Sequence, residues 1–199
     1  MADKDYKQSD FWAQKAKKEG YPARSIYKLD EIQKLYRIIP PSGTVIDVGS
    51  APGSWTLYTS RNILKNKGTV VSVDLKPLEL NPIPQNVKFF QGDAFSDEIL
   101  KELKSFGEYD AIISDAAPST TGNRGVDTAR SEDLVMSVLS LADECLKKGA
   151  SCAIKLFQGS GEKEILTRLR SMFEKAVVYK PKACRGSSFE VYIIGLKKK

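Results

Sequence analysis

The stretch from Val45 to Trp55 constrains the fold more than any other part of the chain. It reads Val-Ile-Asp-Val-Gly-Ser-Ala-Pro-Gly-Ser-Trp, an apolar run that encloses one acid and ends in small residues. This pattern predicts a buried strand, a tight turn and the start of a helix. Gly49 and Gly53 permit a close approach of backbone or ligand where a Cβ would clash. Open α/β sheets bind ligands at such turns, although an ordinary strand-to-helix turn would read the same way.

Strand and helix patterns alternate along the rest of the chain, which has 199 residues and suffices for one domain with a full core. The alternation indicates βαβ units and a mostly parallel sheet. The last two strands are joined by only 181–187, too short for a crossover helix, so they should pair antiparallel. We expect a loop over 75–86, which holds three prolines. The predicted strands are 44–49, 69–74, 87–91, 110–115, 151–157, 175–180 and 188–196, and the predicted helices are 8–18, 23–37, 54–65, 96–105, 128–148 and 160–173.

The composition limits the chemistry. The chain has no histidine, so it cannot form a Ser-His-Asp triad, a histidine-activated cysteine or a histidine-ligated metal site. Any general base must be a lysine, a carboxylate, a tyrosine or a thiolate. The cysteines, Cys145, Cys152 and Cys184, are odd in number and match no metal-ligand spacing. We therefore expect no metal and no disulfide frame, and a reducing compartment, the cytoplasm.

The charge is basic, with a formal net charge of +6. The cations of the two predicted N-terminal helices include Lys15, Lys17, Lys18, Arg24 and Lys28. They form either a solvated helical face or a surface that follows phosphates. No apolar run approaches the ~20 residues of a membrane span, and residues 1–10 show neither a signal nor a transit peptide. We expect no membrane association.

Acidic side chains follow several predicted strands, and the carboxyl ends of parallel strands meet at one rim of the sheet. Asp74 lies about twenty residues beyond the glycine turn, where an acid can accept hydrogen bonds from ribose hydroxyls. Asp93 ends the next strand and suits an adenine amino group or a nearby amide. A helix cap or a surface acid is the simpler interpretation of both. Asp115 ends the fourth strand.

Lys155 lies inside the apolar strand Ala153–Phe157, where a lysine is expensive to bury. It either extends from the strand end into solvent or is a functional amine that desolvation makes easier to deprotonate. Glu190, in the last strand, shares a face with Ser188 and Tyr192 by alternation. Taken alone, Glu190 is typical of a solvent-facing strand residue.

Together these segments resemble the FtsJ/RrmJ family of S-adenosylmethionine-dependent ribose 2′-O-methyltransferases, above all its members that act on large-subunit ribosomal RNA. The glycine turn is shared by many methyltransferases, but all the pieces in this order are specific. The resemblance extends from Ala16 to Gly195 and rests on the segments 23–29, 47–55, 74–75, 91–93, 114–118, 155–159 and 185–192.

The resemblance implies one methyltransferase domain over 1–199, with a basic helical extension at 1–40 and the catalytic sheet at 41–199. It implies a Rossmann-like seven-stranded sheet in the order 3-2-1-4-5-7-6, with helices on both faces and only the last strand antiparallel. It also implies S-adenosylmethionine as cofactor and ribosomal RNA, or the large ribosomal subunit, as partner of a monomer, with no DNA. The implied catalytic residues are Lys28, Asp115, Lys155 and Glu190, and the implied cofactor contacts are Gly49, Gly53, Trp55, Asp74, Asp93 and Asp115.

The chain departs from the family at a few positions. Ser50 and Ser54 replace the commoner alanine and glycine, and the segment 116–122 lacks the usual Met and Asn. Gly-Ser-Trp also occurs in relatives that act on tRNA, so tRNA is the alternative substrate. A catalytically silent RNA-binding assembly factor is a further alternative. A nicotinamide-dependent oxidoreductase is disfavoured, because the turn is not G-x-G-x-x-G.

Overall fold

A computed structural model describes residues 11–159, 161–186 and 188–199 of the chain. Its helices are α1 (11–18), α2 (Ile26–Tyr36), α3 (Ser54–Tyr58, continued by a π-helical turn over Thr59–Ile63), α4 (Asp97–Ser105), α5 (Arg124–Cys145) and α6 (Glu162–Met172). Its strands are β1 (Thr44–Val48), β2 (Thr69–Asp74), β3 (Val87–Gln91), β4 (Tyr109–Ser114), β5 (Leu146–Phe157), β6 (Phe173–Tyr179) and β7 (Glu190–Lys198).

The strands form a seven-stranded sheet in the order β3-β2-β1-β4-β5-β7-β6. The neighbours among β1 to β5 run parallel, whereas β7 lies antiparallel to both β5 and β6. Every strand but the last therefore runs the same way. The predicted fold class, strand order and final antiparallel strand are confirmed, and 75–86 is a connection without helix or strand.

Helices cover both faces of the sheet, as expected for parallel strands that are apolar on both sides. One core lies between the sheet and α1, α2 and α3, and contains Leu29, Ile32 and Trp55. The other lies between the sheet and α4, α5 and α6, and contains Leu103, Leu139 and Leu169. In the part of the chain that the model covers, no helix is both long and apolar enough to cross a bilayer.

The element boundaries differ from the predicted ones around α5. This helix begins at Arg124, not at 128, because the side chain of Asn123 accepts hydrogen bonds from the amides of Gly125 and Val126 and caps it. The helix ends at Cys145, because Leu146 already pairs with Tyr109 across β4 and β5. The predicted helix starts at residues 8–10 and at residue 160 lie outside the described residues.

Candidate active site

Two ion pairs lie where the carboxyl ends of β4 and β5 meet α2 and the start of β7. Nζ of Lys155 is 3.1 Å from Oδ1 of Asp115 and also contacts the backbone carbonyl of Asp115. Nζ of Lys28 is 2.8 Å from Oε1 of Glu190, and both of these residues are buried. The structure thus brings together all four residues proposed as catalytic, although they are scattered from α2 to β7.

Tyr192 joins the two ion pairs. Its hydroxyl donates a hydrogen bond of 2.6 Å to Oδ1 of Asp115, and Nζ of Lys28 lies 5.9 Å from the centre of its ring. The ring itself is fully buried beside Trp55. Sequence analysis did not select Tyr192 as a site residue, although strand alternation had placed it on the same face as Glu190.

The charges in this cluster reinforce one another. Burial alone would lower the pKa of Lys28, but the nearby carboxylates of Asp115 and Glu190 reverse the effect and raise it. Burial alone would raise the pKa of Asp115, but Lys155, Lys28 and the Tyr192 hydroxyl together lower it. Lys28 is therefore a cation and Asp115 an anion at neutral pH. Tyr192 stays a neutral donor, because burial and the adjacent carboxylates raise its pKa well above the usual value.

The helix that carries Lys28 is fixed from two sides. Its apolar stripe packs into the core, since Ile26, Leu29 and Ile32 are all buried. On its outer side, the carboxylate of Glu31 accepts hydrogen bonds from the hydroxyl of Tyr179 and, at 2.9 Å, from the amide of Lys182. Glu31 thereby ties α2 to the β6–β7 connection, so the backbone segments that carry Lys28 and Glu190 are held in register.

A cavity of about 660 Å³ opens beside Asp115, along the carboxyl ends of β1, β2, β3 and β4. Its wall after β4 is the segment Ala116–Thr120, and its other lining residues include Gly49, Asp74 and Asp93. Four of the six residues proposed as cofactor contacts therefore meet here: Gly49, Asp74, Asp93 and Asp115. This size suits a nucleoside-sized ligand.

Asp74 and Asp93 also hold local structure. The two carboxylate oxygens of Asp74 accept hydrogen bonds from the amides of Ala51 at 2.9 Å and Lys76 at 2.8 Å. Asp93 accepts one at 3.0 Å from the amide of Phe95. Because a carboxylate has about four acceptor sites, each side chain keeps acceptor capacity toward the cavity. The structural and the ligand interpretations of these acids are therefore compatible.

The two glycines of the turn have different surroundings. Gly49 has φ +72°, and a Cβ there would lie 2.5 Å from the Cβ of Ala116 at the end of β4. Gly53 has φ +116°, and a Cβ would meet the side chain of Leu80 at 2.7 Å. Gly53 is therefore required for packing against the 75–86 connection, and it is not among the residues that line the cavity.

Trp55 also lies apart from the cavity. Its side chain is buried, and its indole N–H donates a hydrogen bond of 2.8 Å to the carbonyl of Ser25. The side chain thus anchors the start of α2 to α3 and supports Tyr192 from behind. Trp55 is not among the residues that line the cavity, and its contact with the cofactor stays a prediction.

Asp47 is a buried acid that sequence analysis left without a role. Its Oδ2 accepts a hydrogen bond of 2.6 Å from the hydroxyl of Thr56, which also lies 2.9 Å from the hydroxyl of Ser72. Its Oδ1 has no hydrogen-bond partner among the described residues. Burial is the main reason that its pKa is raised to about 7. Asp47 therefore ties β1 to α3 and β2 directly beneath the glycine turn.

A sheet of this order, with a cavity along β1 to β4 and an antiparallel last strand, defines a Rossmann-like methyltransferase. Residues 21–198 match the model of the FtsJ-like methyltransferase family, and the chain belongs to that family. It is 50% identical over 196 residues to the ribosomal RNA large subunit methyltransferase E of Treponema denticola, with 98% of each chain covered. It is 45% identical over 189 residues to the protein of the same name from Borrelia duttonii, covering 95% of this chain and 96% of that one.

Solved structures of methyltransferases have a similar fold. A Plasmodium falciparum protein described as a ribosomal RNA methyltransferase superposes with a TM-score of 0.79 at 27% identity, covering 89% of this chain and 98% of that one. Human methyltransferase-like protein 13, solved in complex with SAH, gives a TM-score of 0.62 at 15% identity, covering 86% of this chain and 81% of that one. The latter likeness concerns the fold alone.

The chain is thus an S-adenosylmethionine-dependent methyltransferase, and the acceptor groups of its cavity suit this cofactor. Three carboxylates, those of Asp74, Asp93 and Asp115, line the cavity and would suit the ammonium group, the sulfonium and the two ribose hydroxyls of this cofactor. The small side chains of Ala51 and Ala116 leave room close to the backbone.

Proposed function

We propose that the chain transfers a methyl group from S-adenosylmethionine to the ribose 2′-hydroxyl of a uridine in large-subunit ribosomal RNA. The observation that carries this proposal is the cluster of Lys28, Asp115, Lys155 and Glu190 beside the cofactor cavity. The names of the Treponema and Borrelia relatives support the large-subunit RNA, and the family resemblance implies the ribose and the uridine.

For the cofactor, Asp74 is proposed to accept hydrogen bonds from the ribose hydroxyls and Asp93 to receive the adenine amino group. Gly49 would allow the methionine part to approach the β1 turn closely, and Asp115 would lie near the reacting end. Gly53 and Trp55 support this site from its rear, since Gly53 packs on Leu80 and the Trp55 indole bonds to Ser25.

When bound, the cofactor supplies an electrophilic methyl group on a sulfonium. The chain's own residues must align the attacking hydroxyl and take up its proton. Lys155, held by Asp115, is proposed to orient the hydroxyl and receive the proton. Lys28 keeps its positive charge, because Asp115 and Glu190 raise its pKa, and it stabilises negative charge that develops on the attacking oxygen.

We propose that a basic surface leads to this cluster from two sides. Lys17 and Lys18 are exposed at the end of α1, and Lys180 and Lys182 are exposed in the β6–β7 connection. Burial, and next the charge of Arg185, lower the pKa of Arg24, which indicates that the two guanidiniums approach one another near Glu190. Converging cations suit a phosphate backbone, which gives affinity and register but little sequence choice. DNA lacks the acceptor hydroxyl.

We also propose that residues 1–199 act as one methyltransferase domain, as a monomer in the cytoplasm. The division into a basic extension at 1–40 and a catalytic sheet at 41–199 follows the positions of α1 and α2 before β1. The cytoplasmic location is supported by the free thiols of Cys145, Cys152 and Cys184, which are all buried.

The test uses labelled S-adenosylmethionine with ribosomal particles and tRNA from a strain that lacks the corresponding gene. We expect label in the large-subunit RNA, at a nucleotide whose 3′ linkage becomes resistant to alkali. Preferential labelling of free tRNA in direct competition would establish the tRNA alternative instead. No label in any RNA, despite cofactor binding, would indicate an RNA-binding assembly factor.

A further inference from the structure

An aromatic pair lies at the strand end next to the catalytic cluster. Phe157 follows Lys155 on the same face of β5 and is paired in register with Glu190. Its ring packs edge-on against that of Phe189, with centroids 4.9 Å apart. The amide of Gln158 donates a hydrogen bond of 3.0 Å to the carbonyl of Phe189, which fixes this segment beside β5. The proposed reaction steps use neither ring.

A guanidinium lies over one ring of this pair. Arg124, the first residue of α5, lies with its guanidinium carbon 5.2 Å from the ring centre of Phe189. The backbone of Arg124 is fixed, because Asn123 caps α5 and the Thr128 hydroxyl bonds to the Arg124 carbonyl at 2.9 Å. Arg124 is exposed, so its guanidinium, which lies over Phe189, remains accessible to solvent.

From this arrangement we propose that the base of the target nucleotide stacks on the guanidinium of Arg124, which Phe189 supports from beneath. This inference rests on the proposed RNA ribose methylation. In a nucleotide the base is attached to C1′, next to the C2′ that bears the hydroxyl. A hydroxyl placed at Lys155 therefore leaves its base at the edge of the catalytic cluster. Phe189 is adjacent to Glu190 in the chain, and the stack lies at that edge.

The chemistry of the three groups suits a nucleobase. Proteins that recognise RNA outside a duplex stack unpaired bases on aromatic rings and on arginine planes. A guanidinium that already lies on a ring is held in one orientation, so little side-chain freedom remains to be lost when a base binds. Stacking also selects for a nucleotide that is splayed out of a helix, because a paired base keeps both of its faces covered.

The test compares the variants Arg124→Lys, Arg124→Gln and Phe189→Leu with the wild-type chain. The probe is large-subunit particles from a strain without the gene, assayed with labelled S-adenosylmethionine. Stacking on a base is worth ~1–3 kcal/mol, so each variant should lower kcat/KM for particles by about 5- to 150-fold. Affinity for S-adenosylmethionine and the thermal midpoint should remain at wild-type values. Arg170→Gln is the matched control, since Arg170 is exposed in the last turn of α6, which leads into the start of β6, away from the carboxyl ends of β4 and β5.

Arg124→Lys separates stacking from a phosphate contact. Lysine keeps the charge but has no planar group, so stacking predicts a loss close to that of Arg124→Gln. Wild-type kcat/KM in Arg124→Lys, with a loss in Arg124→Gln, would show a phosphate contact and overturn the proposal. Wild-type kcat/KM in Phe189→Leu would overturn it as well. If the wild-type chain labels no RNA, the proposed function fails and the stack fails with it. If the wild-type chain labels the RNA and the variants keep the wild-type kcat/KM, the stacking proposal alone is wrong.

Discussion

The hydroxyl of Tyr192 donates to the same carboxylate oxygen of Asp115 that Lys155 approaches, at 2.6 Å and 3.1 Å respectively. Two donors on one oxygen fix the Asp115 carboxylate, and the fixed carboxylate in turn fixes Nζ of Lys155. A lysine in an apolar strand is therefore neither a side chain that escapes into solvent nor an isolated buried charge. It is a positioned group beside Asp115, which lines the cofactor cavity.

The first prediction concerns Lys155 itself. Replacing it with alanine removes the group proposed to orient the hydroxyl and receive its proton. General base action typically contributes roughly 10²–10⁴-fold, so methyl transfer under single-turnover conditions should slow by that factor. The affinity for S-adenosylmethionine should change little, because the cavity is lined by other residues.

Lys147→Ala is the matched control for this change. Lys147 is on the same strand, and its Nζ lies 2.9 Å from Oδ1 of Asp110, so it also pairs with an aspartate of a neighbouring strand. It lies at the opposite end of β5 and should leave methyl transfer unaffected. A Lys155→Ala variant that transfers methyl groups at the wild-type rate would remove Lys155 from the mechanism.

The second prediction concerns Asp74. Asp74→Ala should weaken S-adenosylmethionine binding more than tenfold, which corresponds to ~1.4 kcal/mol. Part of this loss comes from ribose contacts, and part comes from the amides of Ala51 and Lys76, which lose their acceptors. Titration calorimetry measures the affinity. Asp97→Ala is the control, since Asp97 is exposed in the first turn of α4 and is not part of the cavity wall. An unchanged affinity in Asp74→Ala would contradict the proposed ribose contact.

The third prediction concerns pH and the buried Asp47. Its pKa is raised to about 7, whereas an unfolded chain has an aspartate pKa of ~3.9. Between these two values the unfolded chain loses its proton while the folded chain keeps it. The free energy of unfolding therefore falls as pH rises through this window, by about 4 kcal/mol at most from this group.

Asp47→Asn removes this titration and keeps an oxygen for the Thr56 hydroxyl. Relative to wild type, the variant should gain stability on going from pH 5 to pH 8. Urea unfolding at the two pH values measures the difference. A variant whose stability relative to wild type is the same at both pH values would show that Asp47 is ionised within the folded chain over this range.

Sequence patterns predicted the sheet well because strand alternation, helix spacing and connection length are local. Leu146 shows where local patterns no longer decide the structure. It continues the apolar pattern of α5 but belongs to β5, and only its pairing with Tyr109 decides between the two. The π-helical turn after Tyr58 likewise has no local signal.

The site residues likewise divide into those that local sequence patterns reveal and those that only tertiary contacts reveal. Asp74 and Lys155 could be selected from their places on strands, because an acid at a strand end and a lysine in an apolar strand are visible as exceptions. Glu190 and Lys28 look ordinary until their chain segments meet, and only the family resemblance had singled them out. The burial of the Trp55 side chain could not be predicted, because it depends on the Ser25 carbonyl, which comes from a distant part of the chain.

The last prediction concerns the RNA surface. Lys15 is held over the rings of Trp12 and Tyr27, at 5.3 Å and 4.7 Å, and lies 3.8 Å from Glu19, so it is partly engaged within the chain. Lys17 and Lys18 are exposed. Changing both of these to glutamate should weaken binding to large-subunit particles and reduce its dependence on salt concentration, because each phosphate contact that is lost lowers the number of counterions released on binding.

A Lys101→Glu and Lys175→Glu double variant makes the same change in charge on exposed residues of α4 and β6, outside the proposed surface. It should bind with the wild-type affinity once the difference in net charge is taken into account. Filter binding between about 50 and 200 mM salt measures both slopes. S-adenosylmethionine affinity should be equal in all three proteins, since neither pair of lysines lines the cavity. Equal slopes for the two double variants would show that the end of α1 makes no phosphate contacts, and would restrict the RNA surface to Arg24 and the β6–β7 connection.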